Sequence, residues 1–514
     1  MEKIQIKNFR SIKDSGAIEI KPITVLLGKN SCGKSSFLRL LPLLKQTIEK
    51  DKQEPILWYG DNVDFGGFDD IMPKFGNKTN SFELSFELTL SLINNSVYAN
   101  SIRSIWLFEQ FIDPKKHRNS FNVQVKIIFM KKEISSLTLL YLDQKVEIKL
   151  KDNKIVEYIV NGNNCVEFSD YILFFSERFL LPEIIFNSSD ILNRKRFFEY
   201  SNKEFDPAAK ILEKNINTGI KSLTSFIQEI VFLQTKEELL ARLINCKSKT
   251  ISNVFTEKNT SATLLQQLND QLQLIIIPAL INRINQAISL LFNNVYYIKP
   301  IRANANRYYR VQGISVKKVD PDGSNVPMIL YSMSKEKQEK FSKWCLDKLG
   351  IGFKVKAHEG HISLMVTIDK NYEINIADTG YGYSQMLPII LQSWLLIDKF
   401  ESEKTMQISE TIVVIEQPEL HLHPAFQSKM IDIFVSLIEV MNKSRNRIKL
   451  LIETHSEAMI NRLGELVSNN KILSNDINLV LVEKDGEVSN FKQTTYNNQG
   501  FIEEWPIGFL SAEK

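Results

Sequence analysis

Residues Gly28-Lys29-Asn30-Ser31-Cys32-Gly33-Lys34-Ser35 form a complete GxxxxGKS phosphate loop. Each residue type in that pattern has a chemical purpose. The glycines let backbone N–H groups turn toward an anion, and the helix that follows presents its positive end to the same point. Lys34 would reach the β- and γ-phosphates, and the Ser35 hydroxyl would reach Mg²⁺. The flanks agree: the apolar run Ile23 to Leu27 reads as a buried strand, and Ser36 to Leu44 reads as a helix. Strand, turn and helix N-terminus together make a cradle for a nucleoside triphosphate.

Three stretches far downstream could complete such a site. Ile412-Val413-Val414-Ile415 is a fully apolar, β-branched run with the pattern of a central parallel strand, and it ends in Glu416-Gln417-Pro418-Glu419. A carboxylate at the end of a buried strand beside a phosphate loop is a hard oxygen ligand for magnesium. Before it, Asp378-Thr379-Gly380-Tyr381-Gly382-Tyr383-Ser384-Gln385 reads as a glycine-rich turn leading into an apolar helix from Met386. After it, a second apolar strand, Lys449 to Ile452, ends in Glu453-Thr454-His455-Ser456.

The elements that must position these residues follow from periodicity. Residues 3–9 alternate as a strand, and a short second strand runs through Ala17 to Ile20. From about residue 80 to 180 the pattern has period two, broken by turn clusters such as Asn161-Gly162-Asn163-Asn164, so an antiparallel meander is expected. Residues 204–292 are poor in glycine and proline, with apolar residues at helical spacing, as in Leu264, Leu268, Leu272 and Ile275. Strands return from 293 onward. The expected organisation is an N-terminal ATPase lobe over 1–200, a helical insertion over 204–292 and a C-terminal ATPase lobe over 293–514.

Composition bounds the remaining choices. The chain of 514 residues is 43% apolar and 24% charged, with a net charge of +4. That mildly basic balance permits contact with nucleic acid without arguing for it. Four well-separated cysteines, with no CxxC pair, suit a reducing compartment. The start of the chain has no signal-peptide pattern, and Pro278, Asn282, Arg283 and Asn285 interrupt Leu272 to Phe292, so a cytoplasmic protein with no membrane span is expected. His421-Leu422-His423 and His358-Glu359-Gly360-His361 could offer nitrogen ligands, but no cysteine or carboxylate cluster nearby completes a zinc site.

The order of phosphate loop, glycine–serine–glutamine turn, Walker B strand and threonine–histidine–serine resembles the ATP-binding-cassette heads of SMC, RecF and OLD-type ATPases. The opening Ile4 to Ile12 and Asn30 in the loop are similar to those proteins too. Glu416-Gln417-Pro418-Glu419-Leu420-His421-Leu422-His423-Pro424 resembles the form found in OLD-like ATPases of bacterial defence. Pro300-Ile301-Arg302, Asp322-Gly323-Ser324-Asn325 and Trp505-Pro506-Ile507-Gly508-Phe509 are similar as well. The resemblance implies an α/β fold: an ABC-type P-loop head of mixed sheet lobes, with an inserted β meander and a helical insertion. It also implies a head-to-tail homodimer with two ATP molecules sandwiched between protomers. Gly28, Asn30, Gly33, Lys34, Ser35 and Ser36 would hold ATP in one protomer, with Ser35 and Glu416 on Mg²⁺. Gly382 and Ser384 of the other would close on the γ-phosphate, and His455 would be the switch histidine.

One departure bears on rate. The position after the Mg²⁺ carboxylate normally carries a glutamate that activates water, and here it is Gln417. A glutamine orients water but cannot take its proton, and losing a general base costs about 10²–10⁴ in rate. Slow turnover is expected, with Glu419 as the substitute base if turnover is fast. Two function classes then stand. One is a sensor or clamp of an antiviral system of Septu or retron type. Its partners would be a separate HNH-type nuclease and, in the retron case, a reverse transcriptase with non-coding RNA. The other is a self-contained OLD-like nuclease or a DNA repair ATPase. Too little chain follows His455 for the Toprim domain of OLD nucleases, which favours the first class.

Overall fold

All five residues of Ile23–Leu27 are buried, as are six of the seven in each of Glu410–Glu416 and Arg447–Glu453. Runs of Val, Ile and Leu covered on both faces are what central parallel strands need. They pair accordingly. Arg447–Glu453 lies parallel between Ile23–Leu27 and Glu410–Glu416, and Val295–Ile298 extends the sheet beyond Glu410–Glu416. Ile477–Asp485 flanks Ile23–Leu27 on its other side, also parallel, and turns back antiparallel into Val488–Thr494. The structure, a computed structural model, describes residues 1–75, 80–91, 108–113, 120–165, 171–186, 202–216, 218–256, 261–312, 318–368, 372–402, 410–442 and 447–505. Of the Trp505–Phe509 segment, all but Trp505 lies outside the described residues.

The chain divides into two units. The parallel strands belong to the unit made of Asn8–Gln46, Trp58–Lys78 and Leu291–Lys514. Its core joins Ile23, Val25, Ile415, Leu450 and Ile452 of the sheet to Met386, Ile390, Phe434 and Leu463 of the helices Tyr381–Ser402, Pro424–Asn442 and Glu457–Ser468. Each fully buried side chain of this size contributes about 1.5–3 kcal/mol. Phe341, on the helix Lys335–Leu349, packs edge-on against Trp394 and stacked against Phe353. Phe353 lies on Ile351–His358, which forms a small antiparallel sheet with His361–Ile368, Tyr372–Asn375 and Tyr309–Arg310.

The other unit comprises Met1–Lys7, Thr47–Leu57 and Thr79–Leu290. It contains the antiparallel meander in the order Lys3–Phe9, Phe82–Ser91, Ser120–Phe129, Ile134–Tyr141, Gln144–Lys151, Lys154–Val160 and Asn163–Asn164. Alternate residues of Ser120–Phe129 are buried, the signature of a sheet with one covered face. Helices occupy Asn202–Glu213, Ile220–Ile230, Lys236–Ile244, Lys249–Thr256 and Ser261–Asn293. Thr235 and Glu238 form a reciprocal capping box at the start of the third of these.

By length and composition, the helix from Ala262 to Asn293 could cross a membrane. Its polar residues are instead spent on the meander: Gln273 accepts from the Tyr141 hydroxyl at 2.6 Å, Asn269 donates to Gln144, and Asp270 accepts from Asn161 and Asn163. Such a row of buried, hydrogen-bonded polar groups marks it as the core helix of its unit. The α/β class expected from the sequence, a P-loop ATPase head of mixed strands with a meander and a helical segment, is therefore what the chain forms.

Candidate nucleotide-binding site

The phosphate loop connects Ile23–Leu27 to the short helix Lys34–Leu38. Two of its glycines are required sterically. At Gly28 (φ +152°) a Cβ would fall 2.1 Å from the Val482 carbonyl oxygen, and at Gly33 (φ +104°) it would fall 2.6 Å from Ser489 Oγ. Asn30 is exposed, and Ser36 is half-buried in the first turn of the helix. Lys34 is only 3% exposed. Its ammonium donates to the carbonyls of Gly28 at 3.0 Å and Lys29 at 2.6 Å, so it is folded over its own loop.

Glu416 and Glu453 stand opposite each other at the ends of adjacent parallel strands. Both are almost fully buried. Two like charges placed so need compensation, and each finds a different kind. Glu416 is saturated: Arg39 grips it with two bonds of 2.7 Å, and the Tyr297 hydroxyl donates to it at 2.6 Å. That carboxylate in turn raises the Arg39 guanidinium above its usual range. Glu453 accepts a single hydrogen bond, 2.9 Å from the Ser35 hydroxyl, and its Oε2 is buried with no partner. Burial, reinforced by the charge of Glu416, pushes its pKa up to about 7.

The residues after Glu416 turn back across the strand ends. Gln417 adopts φ +44° and donates its backbone N–H to the Glu453 carbonyl at 2.8 Å. A non-glycine residue in that region stores strain, a frequent mark of functional turns. Glu419 accepts the His455 backbone N–H at 2.6 Å, and burial raises its pKa. His455 has a buried Nε2 with no partner, and burial together with the charge of Lys34 lowers its pKa, so the ring is neutral at pH 7. Gln417, Glu419 and His455 are thus brought together beside Glu453.

Gly382 and Ser384 sit differently from the sequence expectation. The helix begins at Tyr381, not Met386, so both lie in its first turn. A Cβ at Gly382 would come 2.9 Å from the His421 carbonyl oxygen, and Ser384 Oγ donates to the Tyr381 carbonyl. The start of this helix therefore packs on the loop that follows the Walker B strand.

Sequence reasoning assigned no role to Arg39, Tyr297, Arg302 or Glu453. Arg302 is 2% exposed, and burial lowers its pKa to about 10. It donates to the carbonyls of Glu416 at 2.8 Å and Gln417 at 3.3 Å, while its own backbone exchanges two hydrogen bonds with the Gln385 side chain. It ties the Tyr381–Ser402 helix to the Walker B turn, and its Nε and Nη1 remain buried without partners. Its signal in sequence was the Pro300-Ile301-Arg302 string. Glu453 was visible only as the residue before Thr454-His455.

A family model described as an AAA ATPase domain matches residues 1–460. The endonuclease GajA of Bacillus cereus (strain HuB5-5) is 22% identical over 499 residues, covering 94% of this chain and 58% of GajA. The chain thus spans little more than half the length of that relative. Among solved structures, an Smc head domain with an extended coiled coil from Pyrococcus furiosus aligns at 12% identity, TM-score 0.36 and 96% of each chain. The SMC head domain from Thermotoga maritima aligns at 9% identity and TM-score 0.31, over 96% of this chain and 97% of that one. The recombination mediator RecF aligns at 10% identity and TM-score 0.28, over 95% and 97%. Scores of this size carry no weight for function, and the fold rests on the strand order itself.

Glu453 should give the stability of the protein a distinct pH dependence. Its folded pKa of about 7 lies above the ordinary 4.5. The folded state therefore holds a proton that the unfolded chain has released, and stability from this group is full below 4.5 and lost as pH rises through 7. The shift corresponds to about 3 kcal/mol. Glu453→Gln stays neutral, so it should match the wild type near pH 4.5 and exceed its stability by about 1–3 kcal/mol near pH 8. Urea denaturation in EDTA at both pH values measures this, and identical pH profiles for the two proteins would refute the raised pKa.

Proposed function

This chain belongs to the AAA ATPase domain family, and from that premise we propose that it is an ABC-type ATPase that binds ATP, hydrolyses it slowly and acts as the sensor or clamp of an antiphage defence system. The observation that carries the reading is a phosphate loop whose Lys34 and Ser35 stand at buried strand ends bearing Glu416 and Glu453, with glutamine rather than glutamate at 417. Gly28, Asn30, Gly33, Lys34, Ser35 and Ser36 cradle the phosphates through backbone N–H groups and the helix N-terminus. The γ-phosphate would give the Lys34 ammonium acceptors in place of its own loop carbonyls. By motif order Ser35 and Glu416 would be the oxygen ligands for magnesium, which would neutralise charge on the β- and γ-phosphates, although Arg39 and Tyr297 already engage both oxygens of Glu416. Gln417 orients water without accepting its proton, Glu419 fixes the backbone at His455, and the neutral His455 ring offers its nitrogen to the γ-phosphate side of the site.

In the same reading Gly382 and Ser384 close on ATP held by a second copy, giving a homodimer through an ATP sandwich. The Septu or retron assignment is supported by the motif order and by the Glu416–Pro424 string. A separate HNH-type nuclease, and in the retron case a reverse transcriptase with non-coding RNA, would then be the partners. A cytoplasmic location fits the packing of Ser261–Asn293 inside its own unit. The likeness to an endonuclease favours a second reading, a self-contained DNA-cutting ATPase.

Three outcomes test these readings. Lys34→Ala should abolish ATP binding in calorimetry with the melting temperature unchanged, and wild-type affinity in that variant would sink the nucleotide assignment. Gln417→Glu should raise steady-state ATP hydrolysis at least about tenfold without tightening ATP binding, because it restores a proton acceptor. A wild-type rate of about 1 s⁻¹ or more, lost only in Glu419→Gln, would transfer that role to Glu419. Finally, the purified chain with Mg²⁺ or Mn²⁺ should leave plasmid, linear and single-stranded DNA uncut. Cleavage that vanishes on mutating residues outside the ATP site would establish the second reading.

A further inference from the structure

Within the proposed nucleotide site, the sheet order separates two carboxylates that motif reading treats as one position. Arg447–Glu453 is the direct neighbour of the phosphate-loop strand, with Glu453 opposite Leu26, whereas Glu410–Glu416 lies one strand further away. The Ser35 hydroxyl follows that order and donates to Glu453 at 2.9 Å. Glu416 has both oxygens engaged by Arg39, and one of them also by Tyr297. Glu453 is 2% exposed and keeps Oε2 buried with no partner.

A buried carboxylate oxygen left unsatisfied is costly, and it persists where a ligand completes it. The hydroxyl proton of Ser35 points at Glu453, which leaves the lone pairs of Ser35 free for a cation. We infer that Glu453 is a positioning residue for the divalent cation of this site: it orients the Ser35 hydroxyl toward the metal and offers Oε2 to the metal's hydration shell, while Glu416 is held by Arg39. Magnesium keeps several waters and takes only one or two carboxylates beside the substrate phosphates. The site therefore needs no cage of three protein ligands, and among the described residues no group of three His, Cys, Asp or Glu side chains forms one. The inference rests on the nucleotide reading and adds to it which carboxylate governs the metal.

The test measures metal binding rather than turnover. AMP-PNP is bound to the full chain in EDTA by calorimetry, and Mn²⁺ is then titrated onto the complex with the free-ion signal followed by electron paramagnetic resonance. Glu453→Gln should leave AMP-PNP affinity in EDTA unchanged and weaken Mn²⁺ about 10–100-fold. Ser35→Ala combined with Glu453→Gln should cost no more than the larger single loss, because the two act as one unit. Glu453→Asp, which keeps the charge, should retain more Mn²⁺ affinity than Glu453→Gln, and it serves as the second probe if the glutamine variant melts early. Mn²⁺ affinity within twofold of wild type in both Glu453 variants, with a large loss in Glu416→Gln, would overturn the inference and leave the nucleotide site standing. A wild-type chain that fails to bind AMP-PNP at all would overturn both.

Discussion

Glu416 and Glu453 reach the ends of adjacent strands in register, and no feature of the site escapes that juxtaposition. Two buried carboxylates side by side repel, and the low dielectric around them magnifies the cost. The structure resolves it asymmetrically. One carboxylate is closed by a bidentate arginine from the turn after Ser35, and the other is left leaning on a serine hydroxyl. The electrostatic centre of the site is therefore uneven before any ligand arrives. The neutral His455 and the half-satisfied Arg302 lie around it.

Arg302 shows how that centre is connected to the rest of its unit. Its guanidinium holds the carbonyls of Glu416 and Gln417, and its backbone holds Gln385. Arg302 thus links the Tyr381–Ser402 helix to the strained turn at Gln417, beside the direct packing of Gly382 on the His421 backbone. In the proposed dimer it is one route by which a phosphate bound in trans would be felt at Gln417, the residue proposed to orient water. The coupling requires no long network, since one buried side chain spans the two elements.

How much of this was legible in the sequence depended on whether the information was local. The phosphate loop was readable because eight consecutive residues carry it and its flanks fix the strand and the helix. Glu416 and His455 were readable because each ends a recognisable apolar strand. The division of labour between Glu416 and Glu453 was not, because it follows from which strand lies next to Ile23–Leu27, and sheet order is set by tertiary packing. Arg39 sits one helical turn beyond Ser35, but its partner is hundreds of residues away. The start of the Tyr381 helix was misplaced for a related reason. Glycines at 380 and 382 look like a turn, yet Gly382 is required inside the helix by its contact with the His421 backbone.

The placement of Ile23–Leu27 also bears on how the chain is made. Both its neighbours, Arg447–Glu453 and Ile477–Asp485, come from the far end of the sequence. On the ribosome the phosphate-loop strand is made hundreds of residues before either neighbour, and until they follow both its hydrogen-bonding edges are open. Exposed apolar edges are templates for wrong pairing, and non-local parallel pairings are slow to form. The nascent chain therefore carries an open, fully apolar strand while the intervening residues are made, and a product released before Ile477 would leave one of its edges unpaired. Assembly of the candidate site therefore waits on translation of both Arg447–Glu453 and Ile477–Asp485.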